Sequence, residues 1–187
     1  MSLFLVLLAA GEGKRLQSKT PKPFNRVNNK TLLEHSLDIF KSFSEIKKIV
    51  IVYNKKHEKN LKKIKLKNFI KIIGGKTRQQ STFRALNKIK RMNCKKVLIH
   101  DAARPNPPKK LISKIIYSLK KNHVVVPLVN ADDATKRVKK NIIFKNIERN
   151  SLRFSQTPQG FTFRKIYEKH RKNKNTSLDD DSALFTL

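Results

Sequence analysis

Hydrophobic residues fall along this chain in two alternating patterns. Short apolar runs, rich in β-forming residues, lie at Leu3 to Ala10, Ile49 to Tyr53, Phe69 to Ile73, Val97 to His100 and Val124 to Val129. Four of the five are nearly continuous in apolar residues, as strands buried on both faces are. Between them, Thr31 to Phe43 (TLLEHSLDIFKSF) repeats apolar residues at helical spacing, and Gln80 to Met92 does so more weakly. This rhythm of strand, helix and strand predicts an α/β fold: a three-layer α/β/α domain around a mostly parallel sheet. Asn130 to Phe154 breaks the rhythm. There TKRV, KKN and IIFKNI read as two short strands about a polar turn, predicting a protruding β-hairpin arm over about residues 130–154. The last residues, SLDDDSALFTL, read as a helix start with no closing strand after it. The expectation is a single domain over residues 1–187 that lacks its C-terminal strand and helix.

Composition narrows the class. At 187 residues, of which 38% are hydrophobic, the chain can fill one core. Forty-four Lys and Arg against 13 Asp and Glu give a net charge of +31, which favours phosphate-bearing partners: nucleotides, nucleic acid or acidic lipid. Charge does not choose among them. The Lys-rich stretch Lys62 to Lys71 (KKIKLKNFIK) interleaves apolar residues and reads as a solvated amphipathic face. Aromatics make up 7% with no Trp, and no stacking platform or recognition-helix motif is seen, which argues against specific nucleic-acid binding. The single Cys94 excludes an internal disulfide and a Cys-based metal cluster within one chain, so a reducing, cytoplasmic setting is expected. The run Ser2 to Ala10 is far shorter than the ~18 apolar residues of a membrane span and no basic residue precedes it, so it reads as a strand and no membrane partner is expected.

Candidate chemistry begins where the first strand ends. AAGEGKRLQSKTPKPF carries two glycines, the cations Lys14 and Arg15, and Lys22 held between Pro21 and Pro23. A glycine-rich turn after a strand frees backbone N–H groups to cradle phosphate oxygens. The segment is not the dinucleotide fingerprint, because Leu16 stands in place of the third glycine, and it is not a P-loop, because no GKS or GKT follows. What remains is G-x-G-x-R followed by P-K, with the prolines limiting the freedom that Lys22 loses on binding.

LAAGEGKRL with PKPF resembles the signature of nucleotidyltransferases that activate sugars and alcohols as nucleoside diphosphate derivatives. Three further motifs narrow the resemblance to the methylerythritol phosphate cytidylyltransferase family: GGKTRQQS (Gly74 to Ser81), HDAARP (His100 to Pro105) and ERNSLRFSQTPQGF (Glu148 to Phe161). The likeness runs from Leu3 to about Leu184. A related cytidylyltransferase acting on ribitol 5-phosphate shares the loop, but HDAARP and TPQ favour methylerythritol phosphate.

The resemblance implies a Rossmann-like nucleotidyltransferase fold and a site for CTP and a polyol phosphate. It places Ala9, Ala10 and Gly11 around the triphosphate, and gives Arg15 and Lys22 the role of stabilising the transition state, where charge grows on the α-phosphate and the departing pyrophosphate. Gly74, Gly75, Lys76 and Ser81 match the segment that holds cytosine, with Lys76 where an acid is expected. Asp101, Ala102 and Arg104 match residues that contact ribose and substrate. Arg149 and Thr157 match groups that reach the second substrate from the arm of a neighbouring subunit, so a homodimer is implied. Thr135 is the candidate to supply a substrate hydrogen bond, because Ala134 stands where the family has threonine. The nucleophile is a phosphate with a second pKa of about 6, so no general base is required, and His100 reads as packed at a strand end. Mg²⁺ is expected as cofactor, held mostly by phosphate oxygens and water with no protein metal site; the acidic run Asp179 to Asp181 invites a metal-site reading, but the resemblance makes it a loop and helix start near the sugar phosphate, and helix capping accounts for its acids. The family's closing motif, a strand with a phosphate-binding lysine, is expected beyond Leu187.

Overall fold

The computed structural model describes residues 2–12, 20–64, 69–173 and 178–186. Its centre is β1 (Leu3–Ala9), whose seven residues are nearly all buried. Strand β4 (Ile46–Tyr53) runs parallel to it on one side and β6 (Lys96–Asp101) on the other, and β5 (Ile70–Ile73) continues the parallel set beyond β4. Two later strands complete the sheet, the short β7 (Val124–Val125) and β12 (Gln159–Thr162), in the order β5-β4-β1-β6-β12-β7. Strand β12 is antiparallel to both neighbours, so the sheet is mostly but not wholly parallel.

The period of two in β1 divides the core. Leu3, Leu5, Leu7 and Ala9 point to one face, where they meet Leu33, Leu37 and Phe40 of α1 (Leu32–Lys41), Leu61 of α2 (Glu58–Lys62), and Ile112, Ile115 and Ile116 of α4 (Lys109–Ser118). Phe4 and Val6 point to the other face, against Ala85, Leu86 and Ile89 of α3 (Arg78–Ile89) and Phe163 and Ile166 of α5 (Phe163–Lys172). These are the three layers expected. Helix α1 starts where its sequence says it should: Thr31 Oγ1 accepts from the Glu34 amide at 3.2 Å and Glu34 Oε2 accepts from the Thr31 amide at 2.8 Å, a reciprocal capping box.

The apolar run Val124 to Val129 is two strands rather than one. After β7 the chain passes Pro127, leaves the sheet, and forms β8 (Leu128–Asn130), which pairs with β11 (Arg153–Ser155) at the base of the arm. The hairpin itself is β9 (Thr135–Lys139) with β10 (Ile142–Ile147), joined through Lys140 and Asn141, both at positive φ, as a two-residue hairpin turn requires. The arm thus spans 128–155, slightly more than expected. A second small hairpin, β2 (Arg26–Val27) with β3 (Lys30–Thr31), precedes α1. Helices α4 and α5 and strand β12 are not in the pattern reading. The stretch Lys62 to Lys71 is not one element: it holds the end of α2 and the start of β5, and residues 65–68 lie outside the described part. The acidic run leads into a short 3-10 turn, Ser182–Phe185, not a long helix. Among the described residues, no helix is long and apolar enough to cross a membrane.

Candidate functional site

Open α/β sheets bind ligands beyond the carboxyl ends of their parallel strands, and three loops meet there. The first continues from β1 as Ala9, buried, Ala10, half-buried, and Gly11, exposed. The second follows β6, which lies in register beside β1, with Leu8 opposite Asp101. The Ala102 amide donates to the Leu8 carbonyl at 3.0 Å, which ties this turn to the first loop. The third follows β5. The Gly74 amide donates to the Tyr53 carbonyl at 2.8 Å, the Gly75 amide to Ser81 Oγ at 3.0 Å and the Lys76 amide to Gln80 Oε1 at 2.9 Å. Gly74 packs so closely that a Cβ on it would sit 2.6 Å from Ala10 Cβ and 2.8 Å from Ser81 Oγ. A side chain at 74 would therefore separate the first and third loops, which is a physical reason for the glycine.

Asp101, at this mouth, is held between two arginines. Arg78 Nε lies 3.4 Å from its Oδ1 and Arg104 Nε 3.5 Å from its Oδ2. Arg104 also donates from Nη1 to Gln156 Oε1. Arg78 reaches the other way as well: its Nη1 donates to Oδ2 of Asp181 at 2.6 Å, and Asp181 Oδ1 lies 2.9 Å from His170 Nε2. Asp181 is fully buried. Burial works to raise its pKa, but the His170 hydrogen bond and the Arg78 charge more than offset this and hold it below the usual carboxylate range. Asp180 caps the following turn, accepting from the Ala183 amide at 3.0 Å and from Ser182 Oγ at 2.7 Å.

His100 is buried at the end of β6, edge-on to the Phe40 ring at 4.9 Å. Its Nε2 donates to the Arg104 carbonyl at 2.9 Å, which leaves Nδ1 to accept from Thr157 Oγ1, also at 2.9 Å. The Asp101 amide donates to the same hydroxyl oxygen at 3.4 Å. Burial pushes the His100 pKa down to about 4, so at neutral pH the ring is uncharged and joins the Asp101–Arg104 turn to Thr157.

Of the residues singled out from the sequence, Ala9, Ala10, Gly11, Gly75, Lys76, Ser81, Asp101, Ala102, Arg104 and Thr157 belong to these adjoining loops. Thr157, expected on the arm with Arg149, lies just beyond it: its hydroxyl is buried against His100 of its own chain, because Pro158 and β12 return the chain to the sheet at this point. Arg149 does sit on the arm, in a 3-10 turn, donating to the Asp132 carbonyl at 3.2 Å, and Thr135 starts β9, half-buried, with its hydroxyl 3.4 Å from the Asp133 carbonyl. Lys22 is exposed on a short turn that the buried Pro23 and Phe24 anchor. Arg15 lies outside the described residues. The sequence reading missed Arg78, His170 and Gln156, and named Asp181 only within the acidic run, without its partners. One signal was available: in a chain with only 13 acids, three in a row at 179–181 call for cationic partners wherever one of them is buried.

Comparison with known proteins follows the same outline. The family model of 2-C-methyl-D-erythritol 4-phosphate cytidylyltransferase matches residues 3–186. A bifunctional enzyme IspD/IspF from Pelagibacter ubique is 44% identical over 185 residues, covering 99% of this chain and 49% of the relative. A 2-C-methyl-D-erythritol 4-phosphate cytidylyltransferase from Petrotoga mobilis is 32% identical, covering 98% of this chain and 84% of the relative. The chain therefore spans about half the length of the bifunctional relative and most of the length of the other. Among solved structures, 4-diphosphocytidyl-2C-methyl-D-erythritol synthase from Anaerococcus prevotii superposes with a TM-score of 0.83 at 29% identity, covering 98% of this chain and 82% of its own. The bifunctional IspDF of Campylobacter jejuni gives 0.84 at 29% identity, covering 98% and 46%.

Proposed function

Because the chain belongs to the 2-C-methyl-D-erythritol 4-phosphate cytidylyltransferase family, we propose that it transfers CMP from CTP to 2-C-methyl-D-erythritol 4-phosphate in isoprenoid precursor synthesis. An oxygen of the polyol phosphate attacks the α-phosphorus of CTP, the bond to the β-phosphate oxygen breaks, and 4-diphosphocytidyl-2-C-methyl-D-erythritol and pyrophosphate form. The observation that carries this reading is the contact of the Gly74 turn with Ala10 beside the Asp101 turn, which gathers the base, phosphate and ribose segments implied by the family at one end of the parallel strands.

In this reading the amides after β1 receive the triphosphate, and Lys22 and Arg15 meet the charge that grows during in-line attack, where fixed cations are worth several kcal/mol, of order 3. The Lys76 amide is already given to Gln80, so its carbonyl is the backbone group left to meet the base, and Ser81 stiffens that turn by accepting from the Gly75 amide. Asp101 faces the ribose, with Arg104 beside it. Among the described residues, no group of three or more His, Cys, Asp or Glu side chains could hold a metal, and Asp101 is already engaged by two arginines. A Mg²⁺ would arrive with the nucleotide, held on its phosphate oxygens and water, and would lower the charge of the leaving pyrophosphate.

The arm supports a homodimer. Leu128, Val129, Val138, Ile142, Ile143, Phe144 and Phe154 expose large apolar surfaces on it, and a short hairpin needs such a surface covered. A second copy, related by a two-fold axis, offers the same face in return and brings Arg149 and Thr135 toward the neighbour's polyol phosphate. Cys94, buried and with its thiol pushed up to about 12 by burial, suits a cytoplasmic protein with no disulfide to form.

The test is pyrophosphate release measured with each of the four ribonucleoside triphosphates, with 2-C-methyl-D-erythritol 4-phosphate and ribitol 5-phosphate as acceptors. Release with CTP and methylerythritol phosphate alone is expected. Equal release with all four nucleotides, or preference for ribitol phosphate, would overturn the reading.

A further inference from the structure

We infer that Arg78 is a positioning residue: it holds the Asp101 carboxylate in the orientation that receives the ribose hydroxyls of CTP, and Asp181 with His170 fixes it from behind. The inference rests on the reading that Asp101 faces the ribose.

The argument starts from the planarity of a guanidinium. Once Nη1 is committed to Asp181 Oδ2 at 2.6 Å, the direction of every other N–H on the group is set, including the Nε–H that points to Asp101 Oδ1. Asp181 cannot drift to release it. Its side chain is 0% exposed, its other oxygen is taken by His170, and the His170 ring stacks on Phe83 with 6° between the planes. Its neighbour Asp180 is bound through its carbonyl to Gln79 Nε2 and through Oδ2 to Gln159 Nε2, both at 2.9 Å. Helices α3 and α5 and strand β12 thus grip the segment that grips Arg78. Arg104, by contrast, has a side chain 47% exposed and shares itself with Gln156. Of the two cations beside Asp101 among the described residues, Arg78 is the fixed one. Its Nη2 is buried with no hydrogen-bond partner among the described residues, so the group's placement is set by the two carboxylates and not by a fully satisfied fork.

A lysine at 78 keeps a positive charge for buried Asp181 but is a point charge without the rigid fork, so it cannot fix two directions at once. The experiment compares the dissociation constants of CTP and 2′,3′-dideoxy-CTP by calorimetry on the purified chain. The unaltered protein should prefer CTP by about tenfold or more, as expected for hydrogen bonds to a charged group. Arg78→Lys should fold, bind the dideoxy nucleotide as before, and reduce that preference to about twofold. Asp101→Asn should reduce it as far, and the double variant no further, since the two residues act as one unit. A preference retained in Arg78→Lys would show that Arg78 serves folding alone and overturn the inference. A preference retained in Asp101→Asn, or absent from the unaltered protein, would instead overturn the ribose reading of Asp101 and this inference with it.

Discussion

Acid should destabilise this protein well above the pH at which carboxylates titrate, and His100 should be the cause. Its ring is enclosed by Phe40, the Arg104 carbonyl and Thr157, with Asp101 favouring the charged form and Arg104 opposing it, and burial outweighs the rest to bring its pKa from 6.5 to about 4. As pH falls the unfolded chain binds this proton first. The stabilisation is therefore complete above about pH 6.5 and is lost progressively down to about pH 4. Going from pH 7.5 to 4.5, a shift of that size removes about 2.5 kcal/mol. That is a large part of a typical stability of 5–15 kcal/mol, roughly speaking. The shifted carboxylates Asp180 and Asp181 have depressed values, so their contribution is present above about 3.8 and is lost only as pH falls below it. Urea unfolding followed by circular dichroism at several pH values, on the unaltered protein and on His100→Gln, isolates the effect. The variant should be less stable at neutral pH, and the gap between the two should narrow by about 2.5 kcal/mol toward pH 4.5. Two parallel curves would refute the argument.

Gly74→Ala should lose about 1–3 kcal/mol of stability by the same unfolding assay and weaken CTP binding, because the new methyl would meet Ala10 Cβ at 2.6 Å. Stability within about 0.5 kcal/mol of the unaltered protein would mean that the loops part easily. Lys22→Ala and Arg15→Ala should each lower kcat about a hundredfold with little change in KM, since they act on charge that appears only in the transition state; a rise in KM alone would make them binding groups. Co-expressed Arg15→Ala and Arg149→Ala chains should regain about a quarter of normal activity, because half the dimers are mixed and half of their sites carry neither change. Heterodimers with no regained activity would show that Arg149 does not serve a neighbour's site.

The sequence by itself determined the core of the sheet, α1, the hairpin and most of the residues at the mouth. These are local matters: a run such as Leu3 to Ala9 is buried on both faces wherever it lies, Thr31 and Glu34 write a helix start within four residues, and the glycine and HDAARP turns lie beside the strand ends that display them. The pattern reading did not divide Val124 to Val129 between the sheet and the arm, because the apolar run continues on both sides; the signal for the break was Pro127, which cannot donate to a strand ladder. It also did not reveal β12, whose four residues QGFT join the sheet only because β6 and β7 offer edges to pair with. Tertiary structure alone decided the partners of the charges. Arg78 and Asp181 are separated by 103 positions, and His100 and Thr157 by 57. In a chain with 44 basic residues nothing in the sequence marks which arginine meets the buried Asp181. That is settled when α3 and α5 close over the same face of the sheet, since a carboxylate shut away from water must be matched by whichever cation the packing brings to it.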